Sequence, residues 1–170
     1  APIEPASMTK VMSSYVVADQ IANDFLSLDD SVLISEKAWR TGGSKMFIEQ
    51  GKRVSVLDLL KGIIIQSGND ATVALAEYVG GTEDGFVDLM NSYAASMGLS
   101  NTLFQNSTGL PDGNHFSSAK DLATMTSLLI ENFPETYSLY KEKYFEFNNI
   151  RQPNRNRLLW KDSSSDGVKT

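Results

Sequence analysis

The sequence predicts an α/β (α+β) protein that is mostly helical and has a few short strands. Apolar residues recur at helical spacing in several long segments, whereas the alternating pattern of a strand appears only briefly. Serine precedes two of the helical segments in the manner of an N-terminal cap, and glycine or proline follows several of them. The 170 residues are enough for one domain with a hydrophobic core.

The first helix is predicted from about Pro5 to Asp24, because proline suits a first turn, where a missing N–H costs nothing. Its apolar face consists of Met8, Val11, Met12, Tyr15, Val16 and Ile21. Residues 32–34 are a short strand candidate, and residues 39–51 are predicted to form a loop. Such a buried helix would hold a reactive side chain in a fixed position.

A second helix is predicted to start at Ser55, with Asp58 in the position of the acidic partner of a capping box. It is apolar nearly all round, so we expect it to be buried. A further helix is predicted over residues 71–78, so the segment Ser67-Gly68-Asn69 interrupts two buried helices. Polar groups in an interior break need partners. The alternative is a simple helix end followed by an N-cap at Asn69 or Asp70.

The second half of the chain continues the helical pattern over residues 82–97 and 118–132. Residues 101–115 between them are rich in Asn, Gly, Ser and Asp and are predicted to form a long loop. Residues 144–147 alternate in hydrophobicity, which predicts a strand. Residues 148–157 are polar and turn-rich, and residues 167–170 could begin another strand.

Composition excludes several classes of function. The net charge of −6 argues against a general nucleic-acid binder, which usually carries a basic stripe. The absence of cysteine excludes disulfides, thiolate zinc sites and cysteine nucleophiles. The single histidine, His115, excludes a multi-histidine metal site within the chain, and we expect no metal. No apolar run approaches the length of a membrane span.

The spacing Ser-x-x-Lys places a hydroxyl and an amine on one helix face, where they could act as nucleophile and base. The pattern is expected about once by chance in a chain of this length. It occurs here at Ser7/Lys10, Ser117/Lys120 and Ser138/Lys141. Only the first pair leads into a strongly apolar helix, where desolvation would lower the pKa of the lysine. The second pair is explained by helix capping, and the third lies in a charged, solvated stretch.

Ser7-x-x-Lys10, Ser67-Gly68-Asn69 and Lys169-Thr170 together resemble the three motifs of the penicillin-recognising serine enzymes. Longer stretches over residues 5–10, 66–71, 90–93, 137–143 and 155–160 resemble the low-molecular-mass penicillin-binding proteins, specifically the D-alanyl-D-alanine carboxypeptidases. The resemblance implies the β-lactamase/transpeptidase-like fold. Residues 1–170 would be a partial catalytic domain containing mostly helices and a fragment of the antiparallel sheet. By this resemblance, the flanking strands and the C-terminal domain of the family would lie outside residues 1–170.

The resemblance also implies a role for each motif residue. Ser7 would be the acyl-accepting nucleophile, Lys10 would take its proton, and Ser67 would relay a proton to the leaving D-alanine. The substrate-binding residues would be Asn69 for the peptide, Lys169 and Thr170 for the terminal carboxylate, and Arg155 near that carboxylate. The alternative for Arg155 is a solvated loop charge. One oxyanion-hole donor would be the Ser7 N–H and the other would lie beyond Thr170. No metal or organic cofactor is implied.

The implied reaction is removal of the terminal D-alanine from peptidoglycan pentapeptides through an acyl-Ser7 ester. β-Lactam antibiotics would be covalent inhibitors, released slowly because no Glu-x-x-Leu-Asn segment is present to activate water. The enzyme would serve cell-wall synthesis and cell shape at the periplasmic face of the inner membrane. It would be tethered only by a segment absent here. Alternatives are a D,D-endopeptidase, a weak β-lactamase, and an inactive fragment or non-enzymatic relative.

His115 is a rival base, since a Ser-His-Asp triad would recruit an imidazole. It lies in the turn-rich segment 111–115, where histidines are usually solvated. We therefore expect an exposed imidazole with no part in catalysis.

Overall fold

A computed structural model of the chain describes residues 1–169. The prediction of a mostly helical α/β fold is confirmed in this part of the chain. The helices are α1 (Thr9–Ala22), α2 (Glu36–Arg40), α3 (Val56–Gln66), α4 (Asn69–Gly80), α5 (Glu83–Ser96), α6 (Ala119–Asn132), α7 (Pro134–Ser138) and α8 (Leu158–Lys161). The strands are β1 (Ser31–Leu33), β2 (Arg53–Ser55), β3 (Tyr144–Phe147) and β4 (Ile150–Pro153).

Helix α1 forms the centre of the core and contacts α3, α4, α5 and α6. Its side chains Val11, Met12, Val16 and Val17 are fully buried. Full burial of one such side chain stabilises the fold by about 1.5–3 kcal/mol. Helix α3 is also buried on most of its surface, as its apolar composition predicts. The nucleophile candidate at the start of α1 is therefore attached to a helix that is buried in the centre of the core.

The strands form two separate antiparallel pairs. Strand β1 pairs with β2, with Val32 opposite Val54. Strand β3 pairs with β4 through a two-residue turn formed by Asn148 and Asn149, both with positive φ angles. A two-residue hairpin turn of type I′ requires positive φ at both positions, and asparagine tolerates that conformation better than most residues.

Both predicted capping serines cap their helices. The Asp58 N–H donates to Ser55 Oγ at 3.1 Å, and the Asp121 N–H donates to Ser118 Oγ at 3.2 Å. Such caps typically stabilise a helix by about 1 kcal/mol. The neighbouring Ser117 is buried and hydrogen-bonds Thr102 through its hydroxyl. Capping therefore explains Ser118 but not Ser117 of the second Ser-x-x-Lys pair, whose hydroxyl has a different structural partner.

Several predicted boundaries were wrong. The predicted loop over residues 39–51 begins within α2, which Ser35 caps through the Ala38 N–H. Residues 148–157, predicted as turn-rich, contain β4, and residues 167–169 form no strand. The first helix begins at Thr9, after a 3₁₀ turn over Ala6–Met8. The predictions missed β2, α7 and α8, which are too short for their periodicity to stand out.

Within residues 1–169, no helix is both long enough and apolar enough to cross a membrane.

Candidate active site

Ser7 and Lys10 lie at the entrance to α1, on the same face of the chain. Ser7 occupies the 3₁₀ turn and is half-buried, whereas Lys10 belongs to the first turn of α1 and is only 1% exposed. Lys10 Nζ lies 3.3 Å from Ser7 Oγ, within hydrogen-bonding distance. The preceding residue, Ala6, has a φ of +46°. A non-glycine residue rarely adopts this left-handed conformation, so the surrounding structure constrains the turn.

Ser67, the residue that follows α3, contacts Ser7. It has a φ of +60°, a left-handed conformation that ends the helix and directs the chain into α4. Its hydroxyl donates to Ser7 Oγ at 3.1 Å. The structure therefore brings together the hydroxyls of Ser7 and Ser67 and the amine of Lys10. The sequence suggested this only through the family resemblance, because the serines are sixty residues apart.

Asn69 lies at the start of α4 and contacts the 42–44 loop. Its side-chain Nδ2 donates to the carbonyl oxygen of Gly42 at 2.8 Å, and its N–H donates to the Ser44 carbonyl oxygen at 2.7 Å. No side chain caps α4, so the alternative of an Asn69 or Asp70 cap is wrong. Asn69 makes no hydrogen bond to Ser7 and instead fixes the loop beside it.

Asp70 fixes the same region from inside the molecule. Its buried carboxylate accepts hydrogen bonds from the N–H groups of Met46, Phe47 and Ile48 at 3.0, 3.0 and 3.3 Å. A carboxylate that accepts several backbone N–H groups forms strong, charge-assisted bonds. The sequence signal for this role was an acidic residue between two buried helices, which we interpreted only as a cap.

A backbone carbonyl provides the second partner of Lys10. Lys10 Nζ donates to the Thr108 carbonyl oxygen at 2.7 Å. The next residue, Gly109, has a φ of +84°, and a Cβ atom there would lie 1.8 Å from the Ala6 carbonyl oxygen. The loop therefore packs directly against the turn that carries Ser7. Nothing in the sequence pointed to this contact, because any residue can supply a backbone carbonyl.

The pKa of Lys10 is lowered to about 7, mainly because the amine is buried and secondarily because of the positive charge of Arg155. About half of the Lys10 amines are then uncharged at pH 7, against roughly one in three thousand for an ordinary lysine. The pKa of the half-buried Lys169 is also lowered to about 7, first by burial and then by the charges of Lys10 and Arg155. The desolvation that the apolar helix predicts is thus the dominant effect.

A cleft of about 800 Å³ opens in front of Ser7. Its lining residues are Ser7, Ser44, Tyr144, Pro153, Asn154, Arg155, Arg157 and Trp160. Arg155 is exposed and donates from Nη1 to Ser44 Oγ. The chain has 21 acidic and 15 basic residues, yet none of the described residues that line this cleft is acidic. The cleft therefore favours an anionic ligand. Thr170, predicted to bind the terminal carboxylate, lies outside the described residues.

His115 is not solvated, and that expectation was wrong. It is 4% exposed, and its Nδ1 accepts a hydrogen bond from the Gln105 N–H at 2.9 Å. Its Nε2 lies 2.7 Å from Thr9 Oγ1. Both ring nitrogens are thus occupied away from Ser7, which rules out a Ser-His-Asp triad in this arrangement. Across residues 1–169, no group of three or more His, Cys, Asp or Glu residues could hold a metal ion.

Comparison with known proteins supplies the family. The model of the D-alanyl-D-alanine carboxypeptidase family matches residues 1–170. The chain belongs to the D-alanyl-D-alanine carboxypeptidase family. It is 50% identical over 175 aligned residues to the D-alanyl-D-alanine carboxypeptidase DacC of Escherichia coli K12, covering 99% of this chain and 44% of that protein. It is 48% identical over 170 residues to DacA of Haemophilus influenzae, covering 98% of this chain and 43% of that protein.

Solved structures of similar proteins share this fold. Penicillin-binding protein 5 of Haemophilus influenzae superposes with a TM-score of 0.97 at 46% identity, covering 100% of this chain and 51% of that one. Penicillin-binding protein 6B of Escherichia coli gives a TM-score of 0.95 at 43% identity, covering 100% of this chain and 56% of that one. The predicted penicillin-binding-protein fold is confirmed. This member of the carboxypeptidase family spans less than half the length of DacC of Escherichia coli K12 and DacA of Haemophilus influenzae.

Gly109→Ala should destabilise this carboxypeptidase-family fold because of the contact with Ala6. The new methyl group would overlap the Ala6 carbonyl oxygen and force a left-handed conformation on alanine. We expect a loss of about 2–4 kcal/mol in the free energy of unfolding, from strain plus overpacking. Denaturant unfolding measures this loss in the free energy of unfolding. Gly113→Ala is the matched control, since a Cβ there meets nothing within 4 Å. Equal stability of the two variants would contradict the proposed packing.

Proposed function

We propose that this protein is a serine D,D-carboxypeptidase that removes the terminal D-alanine from peptidoglycan pentapeptides. The observation that carries the proposal is the position of Ser7 Oγ, 3.3 Å from Lys10 Nζ and 3.1 Å from Ser67 Oγ. The amine beside it has a pKa of about 7 and is available as a base near neutral pH. Membership of the carboxypeptidase family supports the same reaction.

In the proposed acylation step, uncharged Lys10 accepts the hydroxyl proton of Ser7 while Ser7 Oγ attacks the carbonyl carbon of the penultimate D-alanine. A C–O bond forms, and the C–N bond to the terminal D-alanine breaks. The Ser67 hydroxyl passes its proton to the leaving amine and receives in turn the proton that Lys10 took from Ser7, so both groups return to their starting forms. The products are an acyl-Ser7 ester and free D-alanine. Water then hydrolyses the ester and restores the Ser7 hydroxyl.

The substrate would bind in the cleft with its terminal carboxylate towards Lys169 and Arg155. Two nearby cationic side chains and the absence of acidic lining residues support this orientation. Asn69 would contact the peptide from the other side. Thr170 would contribute a hydroxyl to the same carboxylate. Residues 1–170 would be part of a transpeptidase-like catalytic domain.

β-Lactam antibiotics would acylate Ser7 by the same route. Among the residues that line the cleft, no carboxylate is placed to activate a water against the penicilloyl ester. Penicillin would therefore be a slowly released inhibitor. We place the enzyme in the periplasm, attached to the inner membrane through a segment outside this chain and serving cell-wall synthesis and cell shape.

Product analysis tests the proposed function in the full-length protein. Incubation with a peptidoglycan pentapeptide should release one D-alanine and leave a tetrapeptide, and a crosslinked dimer should remain intact. Cleavage of the dimer would instead favour a D,D-endopeptidase, and rapid hydrolysis of penicillin would favour a β-lactamase. A folded protein that releases no product and takes no penicillin label would be a non-enzymatic relative.

A further inference from the structure

The loop that carries the Thr108 carbonyl is held by its own side chains. We call residues 105–109 the lysine loop, because Lys10 donates to its Thr108 carbonyl oxygen. The side-chain oxygen of Asn106 accepts from the N–H groups of Thr108 and Gly109 at 3.2 and 2.7 Å. These bonds fix the internal shape of the loop but leave its position relative to α1 undetermined.

Ser107 provides one connection between the lysine loop and the helices. Its N–H and hydroxyl donate to Glu83 Oε1 at 3.1 and 2.7 Å, and Lys37 pairs with the same carboxylate at 2.8 Å. The Ser13 hydroxyl donates to the Ser107 carbonyl oxygen at 2.7 Å. The middle of the lysine loop is therefore attached to both α5 and α1.

His115 provides a further connection, at the first residue of the loop. Because its Nδ1 accepts from the Gln105 N–H, the proton of the neutral imidazole must be on Nε2. Nε2–H then donates to Thr9 Oγ1, and Thr9 adjoins Lys10 in the first turn of α1. One buried imidazole thus joins the start of the lysine loop to the residue next to the lysine.

We propose that His115 is a positioning residue for Lys10: its neutral imidazole fastens the lysine loop to α1, and the Thr108 carbonyl of that loop orients the amine towards Ser7. This inference rests on the proposed function. The Thr108 carbonyl oxygen accepts one N–H of the uncharged Lys10 amine. The lone pair of Lys10 Nζ can then point towards the Ser7 hydroxyl. A shift of about 1 Å in such a contact can cost about a hundredfold in rate.

Protonation of His115 would break this connection. The imidazolium has two N–H donors and no acceptor, so it cannot accept the Gln105 N–H. Burial lowers the pKa of His115, and the nearby carboxylate of Asp112 partly opposes that shift. On α1, which contacts the imidazole through Thr9, the titratable residue next to Thr9 in the sequence is Lys10. The Phe104 ring, which packs against the imidazole, is uncharged. The bond is therefore intact at pH 7 and lost only in acid.

The experiment measures the second-order rate of acylation by a fluorescent penicillin from pH 4.5 to 8 in the full-length protein (a range set by the ordinary pKa of about 6.5 for histidine). Protonation of Lys10 alone should lower the rate about tenfold per pH unit below 7. In the unmodified protein we expect a steeper fall, towards about a hundredfold per unit, once His115 also takes a proton.

His115→Gln and His115→Leu separate positioning from mere structural support. A glutamine amide has one donor group and one acceptor but does not titrate, so His115→Gln should keep near-normal acylation at pH 7.5 and follow the simple tenfold slope in acid. His115→Leu removes both bonds and should acylate about 10–100-fold more slowly at pH 7.5. Leu129→Ala, in the buried face of α6, is the control for lost stability and should keep the acid profile of the unmodified protein.

The result that would overturn the inference is an acid profile for His115→Gln with the same steepness as that of the unmodified protein. An unchanged acylation rate for His115→Leu at pH 7.5 would overturn it equally. Failure of the proposed function looks different, since the unmodified protein itself would then take no label. If His115→Leu does not fold, the comparison with His115→Gln still decides the matter.

Discussion

Ser7→Ala is expected to reduce covalent labelling by a fluorescent penicillin to background. In the proposed mechanism the Ser7 hydroxyl oxygen forms the ester, and it is the atom that lies within hydrogen-bonding distance of both Lys10 and Ser67. A triad built on His115 is not available as a substitute, since its ring nitrogens bind Thr9 and Gln105. Gel fluorescence and intact mass of the labelled protein measure the effect, with an expected loss of at least about 10³-fold.

The other two Ser-x-x-Lys pairs supply matched controls for this prediction. Ser138 is exposed and donates to the Glu135 carbonyl oxygen, so Ser138→Ala should label at the normal rate. Ser117→Ala loses a buried hydrogen bond to Thr102, which should lower the stability by about 1 kcal/mol but leave labelling intact. Persistent labelling of Ser7→Ala, or loss of labelling in Ser138→Ala, would show that Ser7 is not the nucleophile.

The part of the site that the sequence predicts is the part built on local geometry. Ser7 and Lys10 are one helical turn apart, so their spacing alone places them together. The left-handed end of α3 at Ser67 was visible as a polar break, but its approach to Ser7 depends on how α1 and α3 pack. Only the family resemblance anticipated that contact.

The contacts that periodicity could not predict involve backbone groups distant in the chain. The Thr108 carbonyl lies 98 residues from Lys10, and the Gln105 N–H is held by His115 from within the same long loop. Composition marked that loop as irregular, and the usual exposure of loops suggested a solvated histidine. In this protein the loop is instead folded against the start of α1, because Lys10 and Thr9 need partners in the interior.

Net charge was also an incomplete guide to the site. An excess of acidic residues correctly disfavours nucleic acid as a ligand, but it averages over the whole surface. Arg155 and Arg157 line one cleft together with Ser7, and Lys169 is close enough to Lys10 for their charges to interact. The local field at Ser7 is therefore positive. That field attracts a carboxylate, and it adds to burial, the larger cause, in lowering the pKa of Lys10.

Lys10→Met and Lys10→Arg should each slow acylation by about 10²–10⁴-fold, the range that general-base catalysis typically contributes. Methionine matches the unbranched shape of lysine in a buried position but has no base. Arginine keeps a positive charge, yet its guanidinium does not lose a proton in proteins. Both variants therefore lack an uncharged amine beside Ser7, whatever their effect on packing. Stopped-flow acylation at pH 7.5 measures the rates, and thermal unfolding checks that each variant is folded.

The pair of variants distinguishes two roles for Lys10. If the lysine acts as a base, arginine should be no better than methionine, and neither variant should show the loss of rate below pH 7 that follows protonation of Lys10. The sign is fixed by the lowered pKa: the active, uncharged form exists above about pH 7 and disappears as the solution becomes more acidic. If the lysine acts only as a positive charge near the ester oxygen, Lys10→Arg should retain most of the rate and the protein should be more active in acid. A folded Lys10→Arg variant that acylates within about tenfold of the unmodified rate would therefore contradict the base mechanism.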